Sequence, residues 1–109
     1  KMSNKYFRKV LIPAAATATD LYEVPAANLA IVRSLRVTNA GTGVAAITVT
    51  HTGTGTTYYL QKDRSLTVNT TFDVFSGIPC VLEAGDKLRV TSSIATVHFY
   101  LSYLEIDRT

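Results

Sequence analysis

Two histidines, one cysteine and eight carboxylates are the side chains in this 109-residue sequence with the most chemistry to offer. His51 falls at a strand end beside a Gly-Thr turn, and His98 lies on the more polar parity of the last apolar segment. Neither has a Cys, an Asp or a second His at the spacing that holds a metal ion, so zinc or histidine-based catalysis is not expected of them. Asp20, Glu23, Asp63, Asp73, Glu83, Asp86, Glu105 and Asp107 sit mostly beside turns or strand ends. A glycosidase-type pair needs only a spatial separation, and nothing in the order of residues singles one out. A small enzyme would be signalled by a carboxylate pair or a His–carboxylate contact assembled in space; without one, no catalytic residue is assigned.

Other motifs reduce to architecture. Gly41-Thr-Gly43 and Gly53-Thr-Gly55 imitate phosphate loops, but no helical pattern and no GK[ST] follows either, so both read as turns. Asn69-Thr70-Thr71 satisfies the N-glycosylation rule with no secretory signal beside it. Cys80, between Pro79 and Val81, is expected to be a buried small hydrophobe. Tyr58, Tyr59, Tyr100 and Tyr103 could stack on sugar rings, yet adjacent Tyr58 and Tyr59 must point to opposite faces of a strand.

The elements that must carry these residues are strands. Threonine fills 16 positions while charged residues make up only 17%, a composition suited to pleated sheet. Tyr6–Pro13 reads as an extended arm or first strand, and Ala14–Thr19 is the one stretch where helix competes. Asp20–Val24 forms a short strand ended by Pro25. Along Leu29–Asn39, Ile31, Leu35 and Val37 share one parity that Arg33 interrupts. Asn39 to Gly43 is a turn. Ile47 and Val49 then alternate with threonines up to His51, and Thr56–Gln61 returns as a hairpin. Lys62-Asp63-Arg64 is expected to be a polar tip, followed by a strand on which Leu66, Val68, Thr70, Phe72 and Val74 share a face. Ile78–Glu83, the Ala84-Gly85-Asp86 turn and the Leu88/Val90 strand follow. In Thr96–Ile106, Val97, Phe99, Leu101 and Tyr103 occupy one parity and Tyr100, Leu104 and Ile106 the other. A strand apolar on both faces is central in its sheet or lies against a partner chain.

Eight or nine short strands separated by turn signals predict an all-β antiparallel β-sandwich, jelly-roll-like, with an extended N-terminal arm over residues 1–18 and the sandwich over 19–109. An immunoglobulin-like sandwich is the next choice, lacking here its Trp and its second Cys.

Charge bears on partners. The formal net charge is +3, but Lys1, Lys5, Arg8 and Lys9 all precede the first acid, Asp20, which leaves the remaining chain nearly neutral. The basic character belongs to the arm, so a nucleic-acid surface is not expected. The apolar stretch Val10 to Ile12 is too short for a signal peptide core, and no membrane segment is expected. Lys1 before Met2 suggests that the natural start is Met2 or that Lys1 is a numbering or cloning remnant.

Leu21-Tyr-Glu-Val-Pro25, Ala30-Ile-Val-Arg-Ser-Leu-Arg-Val-Thr-Asn39, Tyr58-Tyr-Leu60 and Val81-Leu-Glu-Ala-Gly-Asp-Lys-Leu-Arg-Val-Thr-Ser92 resemble small all-β structural proteins of tailed bacteriophages. The resemblance spans residues 20 to 106 and rests on strand and turn patterns. It implies a virion component acting by assembly: a capsid decoration (cement) protein, or otherwise a neck, tail or baseplate subunit. The expected partners are the major capsid protein or other virion subunits and further copies of the chain as a dimer or trimer. The expected place is the virion, at the capsid surface rather than the tail, after synthesis in the host cytoplasm. No enzyme activity, cofactor or metal is expected. Lys5, Tyr6, Phe7, Arg8 and Lys9 of the arm, with Tyr100 and Tyr103, are the interface candidates. A sugar- or receptor-binding module is the remaining alternative.

Overall fold

A computed structural model describes residues 3–53 and 55–107; Lys1 and Met2, with the expectation about the natural start, lie outside the described residues. Nine strands follow one another: β1 (Ser3–Leu11), β2 (Thr19–Glu23), β3 (Asn28–Asn39), β4 (Ala45–Gly53), β5 (Thr56–Leu66), β6 (Thr71–Asp73), β7 (Cys80–Leu82), β8 (Lys87–Ser92) and β9 (Val97–Asp107). Ala14–Thr19, where helix could compete, supplies instead a turn and the first residue of β2.

The strands form two antiparallel sheets. One has the order β1-β9-β3-β6, with β7 pairing on β3 beside β6, and the other has the order β2-β8-β4-β5. Early and late strands interleave in both, which is the double Greek key of a jelly roll. Between the sheets lies one apolar core, in which Val32, Leu35, Ile47, Leu88, Phe99 and Leu101 are fully buried. The parity of β9 explains its place: Val97, Phe99, Leu101 and Tyr103 point inward while the strand is paired on both edges, by β1 and β3.

Two expectations about register are corrected. Ile31 does not share the inner face with Leu35 and Val37. The β3–β9 register shifts between Val32 and Ser34, so a bulge turns Arg33 to solvent and moves the inward series from Ala30 and Val32 to Leu35 and Val37. Lys62-Asp63-Arg64 is not a hairpin tip either: β5 runs through it to Leu66. A register shift between Ile47 and Val49 absorbs the polar residues, with Asp63 at φ 50° and its N–H donated to Thr48 Oγ1 at 3.1 Å. The turn falls later, at residues 67–70, where Asn69 takes φ 61° and Thr70 Oγ1 donates to the Thr67 carbonyl at 2.6 Å. The expected long strand from Leu66 to Val74 is therefore divided between the two sheets.

Asn39 closes one end of the sandwich. Fully buried, it donates from Nδ2 to the carbonyls of Gly43 (2.8 Å) and Leu66 (3.0 Å), and its Oδ1 accepts from the Gly41 N–H (3.0 Å). Its main chain bonds across to Thr70 and Asn69. A residue expected only to start a turn thus ties the 40–44 loop to the end of β5.

Candidate functional site

Of the residues expected at an interface, five lie on β1. That strand is paired along its whole length with β9 of the same chain, from Ser3 opposite Asp107 to Leu11 opposite Phe99, so the first-strand reading describes it in the isolated chain. Residues 12–18 form the connection to β2. Lys5, Tyr6, Phe7, Arg8 and Lys9 are all exposed, Tyr6 to 74%. β1 is also an edge strand, so one row of its backbone donors and acceptors faces outward.

Tyr103 stands elsewhere than an interface residue should: it is buried between the sheets. Phe7 stacks on it from β1 with centroids 5.6 Å apart, and Tyr22 of β2 packs on it at 4.2 Å. This aromatic column closes the end of the core on the chain's own side chains. Beside it the Tyr22 hydroxyl donates to Glu105 Oε2 at 2.6 Å, and Asn28 Nδ2 donates to Glu105 Oε1 at 3.1 Å. Burial first, then the hydrogen bond to the Glu105 carboxylate and its charge, push the Tyr22 phenol far above its usual range. Burial, then Glu105, also raises Tyr103. Tyr100, on the opposite parity, is half-buried beneath the Arg36 guanidinium, which lies 5.1 Å from the ring centroid.

The two outer faces of the sandwich differ in character. On the four-stranded sheet, Thr48 pairs with Thr91, Thr50 with Arg89 and Thr52 with Lys87. Asp20 holds Arg89 at 2.7 Å and Lys87 at 3.9 Å there. That face is wet, as the threonine content leads one to expect. On the five-stranded sheet an apolar row crosses four strands: Tyr6 lies opposite Leu104, Leu104 opposite Ile31, and Ile31 opposite Val81. Leu29 and Ile106 form the next pair along. Val81 is 56% exposed, and Leu29, Ile31, Leu104 and Ile106 are half-buried and stand outside the core between the sheets. Sequence reading found the β9 part of this patch; the β3 bulge hid the contribution of Ile31.

The remaining chemistry-bearing residues disperse, with one exception. His51 Nε2 lies 2.9 Å from Asp86 Oδ2, at ion-pair distance but out of line for a hydrogen bond. This is the kind of His–carboxylate contact that an enzyme reading asks for. Its surroundings are those of a clamp: Asp86 Oδ2 already accepts the Glu83 N–H at 2.9 Å, holding the 83–86 turn. The other flank of His51 stacks on Tyr58 at 5.8 Å. Gly53 leaves room for the carboxylate, since a Cβ there would collide with Asp86 Oδ1. The contact thus pins the tip of the β4–β5 hairpin to the β7–β8 turn. His98 is exposed and separate, and among the described residues no group of three His, Cys, Asp or Glu side chains could hold a metal.

Gly41 and Gly43 lie in the β3–β4 loop, and Gly53 and Gly55 flank the β4–β5 turn; neither pair precedes a helix. Tyr58 and Tyr59 are exposed on opposite faces of edge strand β5, Tyr59 with the Lys62 ammonium 4.9 Å from its centroid, and with Tyr103 buried the four tyrosines form no common platform. Cys80 is half-buried, less enclosed than expected, because β7 is a short strand at the sheet edge. Burial, then the charge of Asp86, raises its thiol pKa. Among the described residues no helix is long and apolar enough to cross a membrane.

No protein-family model and no curated protein matches this sequence. Solved structures do match the fold. One, described under Bacillus endospore appendages that form disulfide-linked pili, superposes with a TM-score of 0.55 at 16% identity, covering 98% of this chain and 88% of that one. A second is from the T13 viral particle of infectious bursal disease virus, with a TM-score of 0.54 at 12% identity; it covers 94% of this chain, which spans only 30% of the viral one. A third, a pentameric capsid protein from metagenomic phage sequences, overlays more loosely, with a TM-score of 0.44 at 22% identity over 91% and 60% of the two chains. The chain is thus an all-β, jelly-roll-like sandwich whose fold is shared by a chain of a virus particle and by one of endospore pili.

Proposed function

We propose that the protein is a structural subunit of a virion that acts by binding and not by catalysis, as a capsid decoration protein seated on the shell. The observation that carries this reading is the contrast between the two outer faces: one is threonine and paired charge, the other an apolar row across four strands. A contiguous apolar patch on a small domain marks a surface that another protein covers. The fold supports it, because the pilus and virus-particle neighbours are both components of large assemblies. The resemblance of residues 20 to 106 to phage structural proteins supplies the finer assignment. On this reading the exposed basic groups of β1, Lys5, Arg8 and Lys9, meet acidic surface on a neighbouring subunit.

Cryo-electron microscopy of the particle is the test. The expected result is density for the fold at capsid-lattice positions, and reduced resistance of the shell to heat in particles lacking the protein. A few copies confined to the neck or tail would replace decoration by a tail-associated role, and absence from the particle would overturn the proposal.

A further inference from the structure

We infer that the apolar outer face of the five-stranded sheet is the contact between two copies of this chain, related by a two-fold axis parallel to the strands. The inference deepens the assembly reading given above, because it names what covers the face.

The first support is the distribution of charge. The face runs from β1 at one edge through β9 and β3 to β6 and β7 at the other. The β1 edge is basic, carrying Arg8 on the outward parity with Lys5 and Lys9 beside it. The opposite edge has Glu83 just past β7 and Asp73 on β6, which lies beside Arg36 of β3 and accepts the Leu35 and Phe75 N–H groups. A two-fold axis along the strands lays β1 of one copy on β6 and β7 of the other, and β9 on β3. Arg8 then lies diagonally across from Asp73 of the partner subunit. The apolar row is complementary in the same arrangement, since Tyr6 meets Val81 of the partner subunit and Leu104 meets Ile31 of the partner subunit. Rotation about an axis perpendicular to the strands would instead stack the basic strand on its own copy.

The second support is area. Four strand positions at about 4.8 Å and the length of β9 at about 3.4 Å per residue give the whole outer face, its polar end included, an outline of roughly 700 Å² per copy. A stable interface of standard size takes about 800 Å² from each partner, so this face comes close to it before any loop contributes. Two sheets can meet in this way at about 10 Å separation with their strands nearly aligned, as inside a sandwich.

Sedimentation equilibrium of the full chain between micromolar and hundred-micromolar concentrations is the experiment. A monomer–dimer equilibrium is expected. Leu104→Lys should weaken it at least 100-fold, because two copies of the charge meet near the axis. Arg8→Glu should weaken it about tenfold at low salt and less at high salt. Thr50→Glu, on the wet face, should leave it unchanged. Tyr6→Cys/Val81→Cys in a Cys80→Ser background alters two exposed positions, tests the same arrangement without burying a charge, and should give an oxidised dimer on a non-reducing gel. A chain that stays monomeric throughout, a trimer or larger ring, or a dimer indifferent to Leu104→Lys and not cross-linked by the cysteine pair would overturn the inference. A monomer found on the capsid would leave the virion reading standing, whereas a dimer absent from particles would leave only the dimer.

Discussion

Replacing Asn39 by Ala should cost far more than its place beside a surface loop implies. The side chain makes three hydrogen bonds, two donated to the Gly43 and Leu66 carbonyls and one accepted from the Gly41 N–H. Each is worth about 1 kcal/mol net, so their loss alone comes to about 3 kcal/mol. Leaving any of the three backbone groups buried and unpaired adds to this, while water entering the space would offset part of it. In a domain of this size 1 kcal/mol corresponds to a shift of about 4 °C or more, so the melting temperature should fall by at least about 12 °C. The assay is urea unfolding followed by far-UV circular dichroism, with the midpoint shift read at unchanged slope. Asn39→Asp sharpens the test. Its carboxylate still accepts from Gly41 but faces two carbonyl oxygens, which raises its folded-state pKa above the ordinary Asp value of about 3.9. The penalty is therefore absent below that value and grows as pH rises through the folded-state pKa, so at pH 7 this variant should be less stable than Asn39→Ala, with the order reversing in acid. A loss below about 1 kcal/mol for Asn39→Ala, or an Asn39→Asp penalty that does not depend on pH, would refute the assignment of Asn39 as the tie between these loops.

Three further outcomes are expected. The Tyr22 phenol is raised by burial and by Glu105, so its contribution is fully present below the unfolded value of about 10 and is lost as pH rises beyond it; Tyr22→Phe should lower stability at pH 7 yet flatten the alkaline limb of a stability–pH curve. Gly53→Ala places a Cβ against Asp86 Oδ1, separates the carboxylate from His51 and should cost about 1–2 kcal/mol in urea unfolding, with a changed chemical shift of the His51 ring protons at fixed pH. Phe7→Ala uncovers Tyr103 and should cost about 1–3 kcal/mol while exposing the ring to solvent quenchers of tyrosine fluorescence.

Alternation carried most of the fold. The inward series of β9 and of β4 stand as written in the residues, because a half-buried strand alternates with period two. Arg33 did announce an anomaly in β3, but a bulge and an interrupted strand look alike until the partner strand is placed. Lys62-Asp63-Arg64 misled for a related reason: three polar residues suit a tip as well as a bulge, and only pairing with β4 distinguishes them. The site depended on topology even more. His51 and Asp86 are brought together because β8 lies beside β4. The apolar row of Tyr6, Leu104, Ile31 and Val81 draws one residue from each of four strands scattered along the chain. Tyr103 has the same residue type and local alternation as an exposed aromatic, and only the arrival of Phe7 and Tyr22 above it makes it core.

The pairing of β1 with β9 also sets an order of events in time. Among the nine strands β1 is made before the others and β9 after them, so at about 5–20 residues per second the ribosome takes roughly 4–17 s to travel from Leu11 to Val97. During that interval Phe7 has no Tyr103 to lie on, and the basic strand stands beside an unfinished sheet. Because β9 lies between β1 and β3, the five-stranded layer cannot close before β9 is made. Two nascent chains on neighbouring ribosomes could therefore exchange first strands, and the protein's folding yield should be most sensitive to crowding in those seconds.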